Sequence, residues 1–439
     1  MLSLISMCAL GVALCVPVTP PTASVVSLDS LIQLARTISP EIRTARAREL
    51  AAHLRVAPAG ARPDPTLMAG VQDLPLASPN FRGDEMTMKM VGIGQSFPAA
   101  GKLARRTRAA RAEADAAHAE VTVATLNVER EVRDAYYDVV AATDLLAITT
   151  RGQSLLTHLL PSAEAQYATG GGAQSELVKA RLQATQLAVD GAQLAEDRRS
   201  AIARLRATLF LDALDGDFSW PDRVLRAALG DTTAMPRFTA ATLDARVTDS
   251  PIPSVDSLFA LATSTSANLR AHESMISAAT ARAESAAHAT RPDIDVALQY
   301  GQRDGRSDMI TATVSIPLPL QHRRSQDAEE AATRADVDAL EAAHETQLAA
   351  LRRDVAQLAS ALERDRTQLA IDRAALLPQA RAGVASLVAS YGAGRASLSS
   401  VSDGEMTSLM YESQFVRTLA DFAKTLAELE QLVGAEVVQ

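Results

Sequence analysis

The chain has 439 residues, 43 Lys plus Arg against 52 Asp plus Glu, 3% aromatic residues and only 2 cysteines. Its length allows two or three compact domains, but a sequence rich in Ala, Leu, Gln, Glu and Arg with so few aromatics reads as long helices joined by apolar seams. The net charge of −9 mixes both signs along the chain, which excludes a basic nucleic-acid footprint and predicts no nucleic-acid partner.

The first stretch, Leu2 to Val16, is apolar, and small or Pro residues follow up to Ala23-Ser24. It has the length of a signal-peptide core and is too short for a membrane span, so residues 1–23 are expected to be a signal peptide. Both cysteines, Cys8 and Cys15, fall inside it, and cleavage near Ala23 leaves no thiol or disulfide chemistry. Lipidation of Cys15 is the alternative, although Leu14 occupies a position that usually needs a small residue. No later segment is long and apolar enough for a transmembrane helix, so any membrane insertion must use strands.

From here the chain is written twice. SLDSLIQLA from Ser27 returns as SVDSLFALA from Ser254, and the features after each copy match in order. The period of about 225 residues is too long for a solenoid unit and marks a duplicated architectural module. Residues 24–64 read as a helix broken at Ser39-Pro40 and ended by Arg62-Pro63-Asp64-Pro65, because two prolines cannot sit inside a helix. Residues 254–291 repeat this and end at Arg291-Pro292-Asp293.

Two short strands follow in each copy, within 65–98 and 292–319. Leu67, Ala69 and Val71 alternate with Thr66, Met68 and Gln72. Met86, Met88 and Met90 alternate with Thr87 and Lys89, an apolar strand face whose sharper reading is a thioether site for soft metal ions. In the second copy Ile294, Val296, Leu298 and Tyr300 alternate with Asp293, Asp295, Ala297 and Gln299. Asp304-Gly305 then supplies a hairpin turn before Ile310, Ala312, Val314 and Ile316. One face of each strand is apolar and the other small or polar, as in a barrel with lipid outside and water inside. Four strands cannot close such a barrel, and open edges cannot face lipid, so several chains must share one. Spacing alone leaves two, three or four chains open.

Long helical stretches follow, 102–168 and 322–391, each reaching ~100 Å at ~1.5 Å per residue. Val132, Ala135, Val139, Ala142 and Leu146 step by three and four, as do Leu348, Leu351, Val355, Leu358 and Leu362, which is coiled-coil spacing. Pro161 and Pro378 mark a kink or junction toward the far end of each. Each run turns at a Tyr-x-x-Gly site, Tyr167/Gly170 and Tyr391/Gly394, and returns as a shorter helix, 174–209 and 398–433. The helical hairpins thus occupy 99–210 and 320–439. Residues 211–253, with Trp220 and several prolines, form an irregular link.

This ordered set resembles the outer membrane efflux protein family, the TolC-like channel-tunnels: two repeats, a strand pair after each first helix, Gly101-Lys102 after Phe97-Pro98, and two tips reading YATGGGAQSELVKA and YGAGRASLSSVSDG. Gly170, Gln174 and Glu176-Leu177 are similar to the tip of the heavy-metal efflux branch, the CzcC- and CusC-like members. The resemblance implies a mainly α fold with a small transmembrane β portion: a long α-helical coiled-coil barrel, plus four strands per chain in a twelve-stranded barrel shared by a homotrimer. It implies a passive exit duct in the outer membrane with a long periplasmic portion. The tips, carrying Tyr167, Gly170, Gln174, Tyr391 and Gly394, are expected to dock on a periplasmic adapter joined to an inner-membrane efflux pump of the RND type. Ser400 and Asp403 fall where the family places its acidic entrance gate. Only Asp403 is acidic, so one ring of carboxylates is expected where two are usual, with capping of a helix start as the plain alternative.

A soluble periplasmic coiled-coil adapter or scaffold is the other reading, but adapters carry one helical hairpin and this chain carries two. The seven histidines are scattered and fall on solvated helix faces. Gly170-Gly171-Gly172 lacks the Lys and the preceding strand of a phosphate loop. No constellation of nucleophile, base or metal ligands stands out, so neither an enzyme nor a cofactor is expected.

Overall fold

The computed structural model describes residues 28–75, 81–82, 84–169, 173–211, 251–318 and 324–437. The expected signal peptide with Cys8 and Cys15, nearly all of the inter-repeat link including Trp220, the tip glycine Gly170, and also Pro319 and His322, lie outside them.

Each repeat begins with two short helices. In the first, α1 (Leu28–Ile38) and α2 (Pro40–Gly60) meet at Ser39, whose hydroxyl accepts the Ile42 N–H and caps α2. Pro40, which has no N–H to lose, occupies the first turn. The four strands come next in space: β1 (Thr66–Gln72) and β2 (Met88–Phe97) from the first repeat, β3 (Ile294–Gln302) and β4 (Met309–Ser315) from the second. They form one antiparallel sheet in the order β1-β2-β3-β4. Gly305, at φ 80°, makes the β3–β4 turn at Asp304-Gly305. Among the described residues β1 and β4 each keep one unpaired edge.

Cross-strand register fixes the two faces. Leu67, Ile93 and Leu298 share one row, and Val91, Tyr300 and Ile310 another, all exposed. The opposite face carries Thr66, Gly94, Ala297 and Thr313 in one row and Met68, Gly92, Gln299 and Thr311 in the next. This corrects the expectation for the Met86/Met88/Met90 ladder. Met86 precedes β2, and Met88 and Met90 lie on the small and polar face, opposite Val91 and Ile93.

The long helices of the first repeat are α3 (Lys102–Ala168) and α4 (Gln174–Thr208). The second repeat opens with α5 (Val255–Thr265) and α6 (Ala267–Ala287), which meet at Ser266. Its outer leg is α7 (Gln326–Ile371), a π turn (Asp372–Leu376) and α8 (Leu377–Gly392), and its return is α9 (Leu398–Val433). At ~1.5 Å per residue the 67-residue α3 spans ~100 Å. It continues through Pro161 without a break, whereas Pro378 follows directly on the π turn.

The seams bury largely as their spacing predicts, although Leu146, Leu348 and Leu358 are only half-buried. Val132, Ala135 and Val139 pack with Leu31, Ile32 and Leu205 in the first repeat. Leu351, Val355 and Leu362 pack with Leu258, Leu269 and Phe422 in the second. Each such Val, Leu, Ile or Phe side chain contributes about 1.5–3 kcal/mol when fully buried. Two equivalent cores thus hold the middle of the molecule, with the sheet at one end and the tips at the other. No helix among the described residues is long and apolar enough to cross a membrane.

The sheet is fastened to the helices by the second repeat's Arg-Pro-Asp break. Asp293 accepts the Ala99 N–H at 2.9 Å and the Lys102 ammonium at 3.0 Å through both oxygens. Gly101, at φ 83°, precedes Lys102 and starts α3 from a left-handed conformation that a side chain would strain. Gly101-Lys102 therefore joins the two copies where strands become helices.

Candidate functional site at the helical tips

Both hairpins end in one shared cluster. Ala163, Leu177 and Ala180 of the first tip pack with Tyr391, Leu398 and Val401 of the second. Tyr167 and Tyr391 lie at the ends of the two outer legs, but the two tyrosines differ. Tyr391 is buried, with its hydroxyl shielded from solvent and without a hydrogen-bond partner, and burial followed by nearby Glu176 pushes that phenol upward. Tyr167 is exposed at 42%, and Gln174, the first residue of α4, is exposed as well.

The second turn is built on Gly394, at φ 69°, whose N–H donates to the Tyr391 carbonyl at 2.9 Å. The Arg395 N–H reaches back to the Ser390 carbonyl at 2.8 Å. Ser397 caps α9 by accepting the Ser400 N–H at 3.2 Å, and its hydroxyl lies 2.9 Å from that of Ser400. Ser397 thus takes the capping role that was the plain reading of Asp403.

Asp403 faces the other return helix. Its carboxylate accepts from Lys179 Nζ at 2.5 Å and from Gln183 Nε2 at 3.0 Å, both on α4. These bonds, the Lys179 one foremost, hold its pKa below the usual carboxylate value. Ser402 donates to the Gln183 carbonyl oxygen beside it. Two return helices from different repeats are thereby latched near the tips. Sequence reasoning missed this latch because its members lie in separate repeats, although the rarity of Lys, present only at 89, 102, 179 and 424, was a usable signal. Lys102, Lys179 and Lys424 each pair with an acid, Asp293, Asp403 and Asp138 respectively.

Further along α9 a second knot gathers both outer legs. Glu412, 6% exposed at its side chain, pairs with Arg151 of α3 and with Arg381 of α8, the latter at 2.8 Å. Burial raises the pKa of Glu405, against the influence of Arg151. Nearer the sheet, His272 of α6 and His344 of α7 stack with ring centroids 5.6 Å apart. Burial, and then His344, lower the pKa of His272. Scattered positions in the sequence concealed this pair. Among the described residues no group of three or more His, Cys, Asp or Glu is placed to hold a metal ion.

An exposed apolar sheet with open edges stands on paired helices that converge on a packed tip. Residues 31–209 match the family model described as outer membrane efflux protein. The fold is similar to the outer-membrane channel OprN, with a TM-score of 0.72, 18% identity, and 93% of this chain and 90% of that one covered. It is similar to the outer membrane protein VceC from Vibrio cholerae, with a TM-score of 0.72, 17% identity, and 93% and 96% covered. It is also similar to CusC, with a TM-score of 0.71, 16% identity, and 93% and 92% covered. No curated protein matches the chain. The resemblance to outer membrane efflux proteins is carried in sequence by the first repeat and in fold by nearly the whole chain. These likenesses are equal in extent and do not single out the heavy-metal branch.

Proposed function

We propose that the chain is one protomer of a homotrimeric outer-membrane efflux duct, a passive exit path for substrates delivered by an inner-membrane pump through a periplasmic adapter. One observation carries this reading: the four-stranded sheet exposes an apolar face and leaves an edge open on each side. In lipid each unpaired backbone group costs several kcal/mol, so the edges must close on other copies. Three copies supply twelve strands, within the range of membrane barrels. The small and polar face then lines a water-filled lumen, and the helices extend it through the periplasm. Tyr167 and Gln174 form the surface offered to the adapter, together with Gly170, which lies outside the described residues, while Tyr391 and Gly394 hold the second tip in shape. Asp403 and Ser400 stand at the entrance, with Lys179 offsetting the carboxylate while the entrance is closed.

Membrane fractionation and planar-bilayer recording test this directly. The reading expects extraction only with detergent and discrete conducting steps from the purified protein. A soluble chain that forms no channel supports the adapter or scaffold alternative and sinks the duct.

A further inference from the structure

The helices nearest the sheet form one layer. α2 packs on α3, α3 on α6 and α6 on α7, which leaves α2 and α7 as its two edges. These helices also adjoin the open strands, since β1 follows α2 and α7 follows β4. Each edge has a face that nothing among the described residues covers. On α2, Ile42, Ala45, Ala52 and Val56 form the more buried side. The opposite stripe, Ala47, Leu50, Leu54 and Ala57, is exposed, with Leu50 at 59% and Leu54 at 66%. On α7, Thr333, Val337, Leu340 and His344 are half-buried, and Ala331, Ala335, Ala339 and Ala342 on the far side are exposed. The charges of the two edges are opposite. α2 carries four arginines against two glutamates, whereas residues 326–349 of α7 carry seven acids against one arginine. Arg46 and Arg55 on α2, and Asp336 and Glu345 on α7, have no ion-pair partner among the described residues.

Contacts inside the chain set the relative heights of these faces. Glu49 meets His118 at 2.6 Å, Glu113 meets Arg282 at 2.6 Å, and Arg108 meets Glu284 at 3.2 Å. His272 then stacks on His344. Counting along the helices from these pairs brings Leu50 level with the span from Ala339 to Ala342, and Leu54 level with the span from Ala335 to Ala339. Arg46 falls level with Glu345, and Arg55 with Asp336. α2 runs toward the sheet and α7 away from it, so the two are antiparallel. When such stripes face each other, Arg46 and Glu345 lie on one flank and Arg55 and Asp336 on the other. Resting on the duct reading, we propose that the free face of α2 is the docking surface for α7 of a neighbouring copy, with Leu50 and Leu54 seated among the alanines and the two charged pairs closing the flanks. Rotation about the barrel axis changes no heights, so a ring of identical copies brings these residues together at the levels the single chain fixes. The contact is head-to-tail, as ring closure requires, and it continues the seam where β1 meets β4 of the next copy. Pairing α7 with α7 sets acid against acid, which opposes a two-fold arrangement.

The test is disulfide cross-linking of the full-length protein, read on non-reducing gels, with the parent and the single variants setting the background. Leu50→Cys with Ala342→Cys is expected to give covalent species of two and three chains. Leu54→Cys with Ala335→Cys should do the same, and decides the matter if the first pair fails to assemble. Leu50→Cys with Ala328→Cys is displaced by ~21 Å along α7. It should stay at background, because Cα atoms more than about 7 Å apart cannot be bridged. Adding Arg46→Glu to the first pair should slow linking roughly two- to five-fold, and adding Glu345→Arg as well should restore it. Equal linking of the matched and displaced pairs overturns the seam, as does a trimer by native mass spectrometry in which neither matched pair links. A charge reversal without effect overturns the charged flanks. A protein that is monomeric by native mass spectrometry overturns the duct reading itself, so the two failures are distinguishable.

Discussion

The outer legs of the two repeats have the same length and different continuity. The first is a single helix of 67 residues. The second spends the same length on helices of 46 and 16 residues joined by a π turn of 5. Equal length is what two legs need to carry two tips from one sheet to one plane. Continuity is not required, and the second copy has relaxed it. Pro378, which cannot supply the N–H an α-helix expects, lies just past the π turn, and such turns recur where helices bend or act. The tips diverge in the same sense, with Tyr391 buried and Tyr167 exposed. The second repeat therefore holds the tip core together and also carries the irregular leg.

The tyrosines give the largest expected contrast between the copies. Tyr391→Ala should cost about 2–4 kcal/mol, as for other large side chains deleted from a core. Tyr167→Ala should stay within about 0.5 kcal/mol, as for ordinary surface changes. Tyr391→Phe removes a buried hydroxyl without a partner and should be neutral or slightly stabilising. Thermal unfolding of the detergent-solubilised protein reads all three, and equal losses at Tyr391 and Tyr167 would erase the distinction between the tips.

Glu412 comes next because it holds both legs at once. Glu412→Ala should cost about 1–2 kcal/mol, since Arg151 and Arg381 still reach water when released. Protease nicking should then appear on both legs, whereas Arg381→Ala should expose only the second. Cleavage confined to one leg in the Glu412 variant would dissolve the knot.

Much of this is legible in the sequence alone. The proline and glycine breaks, the coiled-coil seams and the Asp304-Gly305 turn are local, and each follows from a few neighbouring residues. β2 was misread because Gly92 and Gly94 interrupt its alternation, so the methionines before them passed for the apolar face that Val91, Ile93 and Phe97 supply. The Lys179–Asp403 latch, the Glu412 knot and the His272–His344 stack join different helices, and nothing in one segment announces its partner in another. The π turn was read only as a proline kink, since a bulge of one residue leaves the seam spacing nearly intact.

Asp372 sharpens the contrast between the legs at smaller amplitude. It lies inside the π turn at 3% exposure, with one oxygen accepting from Gln368 at 2.7 Å and the other buried without a partner. Burial raises its pKa above the carboxylate value. Its contribution is therefore complete below the unfolded pKa and lost as pH rises through the folded one. Asp372→Asn should match the wild type near pH 4 and exceed it in stability at pH 8. A stability difference that does not change with pH would remove the buried carboxyl from the account.

The smallest effect on stability is expected from Lys179→Ala, because the pair with Asp403 is half exposed and such pairs are worth about 0–1 kcal/mol. Its effect on selectivity should be larger. An unpaired Asp403 in each protomer raises the preference for cations, read as a shift in reversal potential under a salt gradient, and Lys179→Ala combined with Asp403→Ala should abolish that shift. An unchanged potential in the single variant would place Asp403 away from the conduction path.

The central claim is that an open sheet is completed by copies of itself in a membrane. Native mass spectrometry of the detergent-extracted protein tests it most directly. The account predicts a single species with the mass of three chains that persists when detergent is stripped in the gas phase. A stable monomer, soluble without detergent, would contradict it.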